Sequence, residues 1–243
     1  MARIELTEEL SKYVLPPLQW DGLSLTAVDA PALAAFWGAA LGGRVRELGD
    51  GGFRIDPGPQ RPGREIVRIA PVRSLSPDPA RVHVDVRLPG RTPDALLAAG
   101  ARIVRSPGAE PWYVMADPEG NEFCAYPAVD RRPAGIFELV VKSRDAYAQA
   151  RWWAAVLGGE VAIEGEAAAV RSAPEFPWDY LLFDPVPDPR SGLNRMHWHV
   201  TLRDSDPGDL VARGARMLRR PAADGEGWVL ADPEGNEFCA HPA

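Results

Sequence analysis

Lysine is almost missing from this chain: Lys12 and Lys142 are the only two, and arginine carries the rest of the positive charge. Against 34 acidic side chains the 27 basic ones leave a net charge of −7 and a pI near 5.2. That balance argues against nucleic acid as a partner, because such binding rests on neutralising phosphates. Cysteine is scarce as well. Cys124 and Cys239 stand at equivalent places of a repeat, where a mutual disulfide is geometrically disfavoured, and two thiols suit a reducing cytoplasm. No apolar run approaches the roughly 18 residues of a membrane span. The first residues lack the basic start and apolar stretch of a signal peptide. There is no phosphate-cradling glycine loop, dinucleotide fingerprint, HExxH helix, CxxC pair or G-x-S-x-G elbow, so the common nucleotide-driven and covalent chemistries have no support.

What the chain does have is a repeat, and hydrophobic residues enough (46%) for a sizeable core. The run Ala116-Asp117-Pro118-Glu119-Gly120-Asn121-Glu122-Phe123-Cys124-Ala125 returns letter for letter at Ala231 to Ala240. Asp29 and Trp37 are echoed by Asp145 and Trp153, His83 and Gly100 by His197 and Gly214, in the same order and at nearly the same offset. A period this long means duplicated domains. The division expected is an N-terminal extension over 1–19, a first domain over 20–128, a polar proline-marked linker over 129–134 and a second domain over 135–243. In the extension, Thr7 could cap a short helix with Leu10, Tyr13 and Val14 on one face, stopped by Pro16.

The periodicity switches in the same order within each copy. Leu23 to Val28 and Ile136 to Val141 read as strands. Asp29 and Asp145 then cap helices whose apolar stripes hold Leu33, Phe36, Trp37 and Leu41 in one copy and Trp152, Trp153, Val156 and Leu157 in the other. Gly42-Gly43 and Gly158-Gly159 end those helices. Short strands are expected near Gly52 to Ile55, Ile66 to Ala70 and Tyr180 to Phe183, longer ones over Arg81 to Leu88 and His197 to Leu202. Helices over Thr92 to Ala99 and Asp206 to Arg213 follow. Each copy closes in a hairpin whose Asp-Pro-Glu-Gly-Asn turn uses proline to fix one φ and Gly-Asn to tolerate positive φ. The fold class is therefore α+β.

This pattern, with its DPEGNEFC hairpins and the Asn194-Arg195-Met196-His197 segment, resembles the glyoxalase / bleomycin-resistance / extradiol-dioxygenase group, the vicinal oxygen chelate superfamily, in its glyoxalase-like branch. The resemblance covers nearly everything after residue 20. It implies paired βαβββ modules, each domain curling a mixed eight-stranded sheet around a cavity. It also implies, in metal-dependent members, ligands at the first strand, the fifth strand and the last. The matching positions are Gly22, His83 and Cys124 in the first copy, and Glu138, His197 and Cys239 in the second. The first set is too poor for a stable metal site. The second could hold zinc, which accepts carboxylate, imidazole and thiolate, but does not suit magnesium or manganese.

The reading is a small-molecule-binding protein in which no cofactor is expected, with a divalent metal at Glu138, His197 and Cys239 as the lesser reading. Its alternative is a lyase, isomerase or dioxygenase-like enzyme with Glu138 and His197 as catalytic groups. Strand alternation puts Glu138 on an otherwise apolar face, where a carboxylate must be paired, hydrated or used. His83 shares a face with Asp85 and Arg87, and His197 with His199. Each is either a cavity histidine or one bonded within the structure. Cys124 and Cys239 read as buried hydrophobes or as cavity wall, and His241 shares a face with Cys239. Tyr113, Trp112, Trp178 and Trp228 are candidates for stacking on a flat ligand, whereas Trp37, Trp152 and Trp153 read as core. The expected partner is a small organic ligand, aromatic or cationic, with neither nucleic acid nor membrane. The chain is a pseudo-dimeric monomer or a homodimer.

Overall fold

The computed structural model describes residues 16–76, 80–128, 131–187, 194–204, 206–221 and 227–243. The expected helix in the N-terminal extension and the start of the linker lie outside these residues.

Four βαβββ-like modules follow one another. The first holds β1 (Leu18–Ala27), α1 (Ala30–Leu41), β2 (Arg44–Glu47), β3 (Phe53–Asp56) and β4 (Val67–Pro71). The second holds β5 (Val82–Arg87), α2 (Asp94–Ala98), β6 (Arg102–Arg105), β7 (Tyr113–Ala116) and β8 (Glu122–Tyr126). The third holds β9 (Gly135–Ser143), α3 (Ala146–Leu157), β10 (Glu160–Glu164), β11 (Ala167–Arg171) and β12 (Tyr180–Pro185). The fourth holds β13 (Met196–Leu202), α4 (Gly208–Ala212), β14 (Arg216–Arg219), β15 (Trp228–Ala231) and β16 (Glu237–Pro242).

Local chemistry sets the helix limits as expected. Asp29 accepts from the Ala32 amide at 3.1 Å and Asp145 from the Ala148 amide at 2.9 Å. Gly42 and Gly158 close the helices in the left-handed region.

The two sheets are mixed and eight-stranded, but neither belongs to a single repeat. The first has the order β14-β15-β16-β13-β1-β4-β3-β2, and the second β10-β11-β12-β9-β5-β8-β7-β6. The outer modules thus build one sheet (the outer sheet) and the two central modules the other (the inner sheet). Each repeat contributes half of each sheet. The physical reason lies in the connections. Tyr126 at the end of β8 and Gly135 at the start of β9 both flank Arg87 at the end of β5. The short linker therefore needs to span only two strand spacings, about 10 Å. Pairing within a repeat would waste that proximity.

One hydrophobic cluster runs through the molecule between the sheets. It contains Leu23, Leu25, Val67 and Trp198 from the outer sheet, Val84, Leu139, Leu181 and Phe183 from the inner sheet, and Leu33, Trp37, Trp153 and Val156 from α1 and α3. Trp20 of β1 packs edge-on against Trp178 and Phe176 of the third module, ring centroids 5.4 and 4.9 Å away. Polar ties cross the same boundary. Glu65, 2% exposed, accepts from Arg61 and from Trp178 Nε1, while Arg61 also donates to the Ala134 and Ile136 carbonyls. With the apolar faces turned toward each other, the polar faces of the two sheets look outward in opposite directions.

Candidate functional site

Residues paired across neighbouring strands share a face, so the registers assemble each polar face. In the inner sheet Asp85 lies opposite Glu138 across β5 and β9, and opposite Cys124 across β5 and β8; Glu138 in turn lies opposite Tyr180. His83 and Arg87 flank Asp85 on its own strand. His83 Nε2 is 3.9 Å from Cys124 Sγ and 3.4 Å from Asp85 Oδ1. Tyr126 follows Cys124 on the same face; Trp112 stacks on it at 4.9 Å, and Phe137 meets it edge-on at 5.2 Å. The Arg87 guanidinium lies over Phe137, 4.0 Å from the ring centre, and pairs with Asp179 at 2.6 Å.

Two hollows flank this row. One, of about 410 Å³, is lined among others by His83, Val114, Glu122, Cys124, Lys142 and Arg195. The other, of about 260 Å³, includes Arg87, Pro111, Tyr126, Arg132 and Phe137. Asp85 sits between them, only 3% exposed, and its buried Oδ1 accepts no hydrogen bond. The nearby His83 nitrogen is within reach but misaligned. Burial, then the Asp85 charge and hydrogen bonding to Asp85, push the Glu138 carboxyl up to about 8, and burial followed by the Asp85 charge and hydrogen bond also pushes the Cys124 thiol and the Tyr126 phenol upward. Near neutral pH all three of these groups hold their protons.

The outer sheet presents a different face at the equivalent place. His197 lies opposite Ser24, His199 opposite Gly22 and Cys239, and His241 opposite Thr201. His199 Nδ1 and His241 Nε2 are 2.9 Å apart, one ring donating to the other. Burial lowers His197 to about 4 and His199 to about 2, so these imidazoles are neutral. Beyond them come Arg68, Arg54 and Arg46, paired in register across β4, β3 and β2.

These placements correct several expectations. Glu138 does not meet His197 or Cys239: it stands in the inner sheet with His83, Asp85 and Cys124, because strand pairing crosses the repeats. The metal set Glu138, His197 and Cys239 and the catalytic pair Glu138 and His197 are therefore each divided between sheets that face away from one another. Tyr113 and Trp228 pair with the buried Ala125 and Ala240 and pack on the core, not on a polar face. Trp178 is buried between the sheets and donates to Glu65. His83, Asp85 and Cys124 come together on one polar face, and His199, Cys239 and His241 on the other. Neither cysteine is in a disulfide. The arginines of β2 to β4 and the aromatic group Tyr126, Phe137 and Trp112 around Asp85 were underweighted from sequence. Their signal is strand alternation, with Arg44 and Arg46, Arg54 and Asp56, and Arg68 and Ala70 each two apart.

Two groups have metal-ligand spacing, with donor atoms within 4.8 Å of one another: His83, Asp85 and Cys124, and His197, His199 and Cys239. Both mix nitrogen and sulfur donors, which fits zinc and not magnesium or calcium. The orphaned Asp85 oxygen is also consistent with a cation in the inner site.

Gly22 has a backbone reason to be glycine. Its φ is +130°, and a Cβ there would lie 2.7 Å from both Arg68 Nη1 and the Ile66 carbonyl. Gly22→Ala is expected to cost about 2 kcal/mol, measured by urea unfolding, with the left-handed strain and the displaced guanidinium both contributing.

A family model described as a glyoxalase-like domain matches residues 22–126 and again 138–241. The chain therefore belongs to the glyoxalase-like family, in two tandem copies. Among solved structures it is similar to glyoxalase I from Zea mays, at 12% identity and a TM-score of 0.65, covering 96% of this chain and 94% of that one. It is also similar to a candidate dioxygenase from Bacillus subtilis, at 14% identity and a TM-score of 0.63, covering 94% and 86%. At such identities the likeness is one of fold. Among curated proteins no relative matches the chain. Among the described residues no helix is long and apolar enough to cross a membrane.

Proposed function

We propose that this chain is a small-molecule-binding protein whose inner-sheet face holds an organic cation with an aromatic or flat apolar body, without needing a metal. One observation carries the reading: Asp85, 3% exposed and with Oδ1 unbonded, stands among the Glu138, Cys124 and Tyr126 groups whose protons it helps to hold, that of Glu138 to about pH 8. A bound ammonium or amidinium would supply Oδ1 with a donor and favour ionised Glu138. Tyr126, Phe137 and Trp112 offer faces for the rest of the ligand. Each sheet is completed within one chain, which favours a monomer, and two thiols outside any disulfide favour a cytoplasmic setting.

Benzamidine, cationic throughout the range, is a suitable probe, followed by calorimetry or Trp112 fluorescence. Its affinity is expected to rise about tenfold per pH unit below 8 and then level off, since binding requires Glu138 to release its proton. The rise should vanish in Glu138→Gln. Binding that ignores pH, or that disappears when a stoichiometric metal is chelated from the purified protein, overturns the reading.

A second reading shares the same observation. A carboxyl poised near pH 8 is also suited to moving a proton as a general acid or base. The chain would then be a lyase, isomerase or dioxygenase-like enzyme acting through Glu138, not through His197, and any turnover would fall sharply in Glu138→Gln.

A further inference from the structure

The repeat places the two polar faces in register with each other, and at that shared place their charge is reversed. Gly22 is the counterpart of Glu138, His199 of Asp85 and His241 of Tyr126. Arg68 pairs with Ser24 as Leu182 pairs with Val140, so Arg68 is the counterpart of Leu182. Continuing outward, Arg54 and Arg46 replace Ala169 and Ala162.

The glycine and the arginine belong together. Any side chain at Gly22 would run into Arg68 Nη1, so the missing carboxylate makes the room into which the guanidinium reaches. Arg68, its side chain 22% exposed, donates to the Asp21 carbonyl at 2.9 Å and to its carboxylate at 3.0 Å. Burial works against its protonated form, Asp21 supports it, and the charge of Arg54 opposes it. Arg54 and Arg46 both direct Nε to the one Asp56 carboxylate, at 2.7 and 2.6 Å. On this side of the face three guanidiniums thus meet two carboxylates, and the further carboxylate of the face, Glu237, stands beyond the histidines on β16. The His199 and His241 rings, 2.9 Å apart, stand beside the guanidiniums on the same face.

We propose that the outer-sheet face is a second binding site, selective for a small organic monocarboxylate, so that one chain carries two faces of opposite charge preference. The carboxylate is held by Arg68 and Arg54, with the His199–His241 pair at the side. A planar guanidinium fork matches a carboxylate in two parallel hydrogen bonds, which an ammonium or a neutral amide cannot use. This site is independent of the inner one, from which the core separates it.

Three isosteric probes decide the matter on the full chain: benzoate, benzamide and benzamidine. The histidines make a built-in reporter. Of the four in the chain, His197, His199 and His241 lie on the outer face and His83 alone on the inner. In ring-nitrogen NMR, benzoate is expected to shift the three outer histidines and leave His83 in place. Benzamide should shift none of them at the same concentration. The benzoate dissociation constant should rise about tenfold or more in Arg54→Gln and in Arg68→Leu, the loss typical of a charge-assisted contact. Arg54 is the safer variant, because it is the less tightly held. Benzoate that binds no better than benzamide, that shifts His83 instead, or that is indifferent to Arg54→Gln would overturn the proposal.

Discussion

Asp232→Ala is expected to lower the stability of the chain by about 4 kcal/mol, one of the largest losses available to a single polar substitution, because it strands several buried donors at once. Asp232 is fully buried. It accepts from the Glu234 amide at 3.0 Å, the Asn236 amide at 2.9 Å, Asn236 Nδ2 at 2.8 Å and Trp153 Nε1 at 3.1 Å. The first three close the turn between β15 and β16 in the outer sheet. The fourth reaches α3, which packs on the inner sheet. Glu234 of the same turn caps the start of that helix, accepting from the Arg144 and Asp145 amides and from Ser143 Oγ. Asp117 and Glu119 repeat the device in the other direction, holding Trp37 and the Asp29 amide of α1 from the inner-sheet hairpin. The DPEGN turns are therefore clasps between the sheets as well as turns. Burial raises the Asp232 carboxyl against the lowering by its donors, so it is already a costly group, and removing it leaves the donors with nothing. In a chain of this length the loss corresponds to roughly 8 °C in Tm. Asp232→Asn should recover only part of it, since an amide nitrogen would then face Trp153 or Asn236. A loss under about 1 kcal/mol by urea unfolding, read from tryptophan fluorescence, would mean that the turn works alone.

How much of this was legible in the sequence divides along a physical line. Local signals survive folding unchanged: Asp29 and Asp145 cap, Gly42 and Gly158 terminate, and the alternation that puts His83 with Asp85 and His197 with His199 is fixed by the strand itself. The repeat also gave the fold class and the two tandem copies. Strand pairing is another matter. Nothing in Glu138 or its neighbours in the chain says whether β9 will lie against β5 or against β13, because both partners carry a histidine at the matching position. That choice depends on linker span and core closure, and it moved Glu138 from one site to the other. Tyr113, Trp178 and Trp228 failed for a related reason. An aromatic residue on a strand reads alike on either face, and only the register with Ala125 or Ala240 shows that the side is the dry one. The arginines at 46, 54 and 68 lie far apart in sequence, and only three neighbouring strands bring them into one row.

Glu138→Gln is expected to turn the pH dependence of stability nearly flat across the range where the parent chain weakens. A free glutamate releases its proton near 4.5, whereas burial and the Asp85 charge hold that of Glu138 to about 8. Between those values the folded chain binds the proton and the unfolded chain does not. Folding is therefore strongest below about pH 4.5 as far as this group is concerned, and its contribution is lost progressively up to pH 8. Above that the native state must carry a carboxylate beside Asp85. The full shift would set the upper limit, and water at the open side of the face reduces it, so a loss on the order of 3 kcal/mol is expected by pH 9. In Glu138→Gln the side chain keeps its size and carries no charge, so the variant should match the parent at pH 5 and exceed it at pH 9 by roughly 6 °C in Tm. Benzamidine should close that gap in the parent alone, since a bound cation stabilises the charged pair that otherwise strains the fold. Parallel Tm curves for parent and variant from pH 5 to 9 would show that Glu138 ionises at its ordinary value, and the inner face would then have no stored proton with which to recognise a cation.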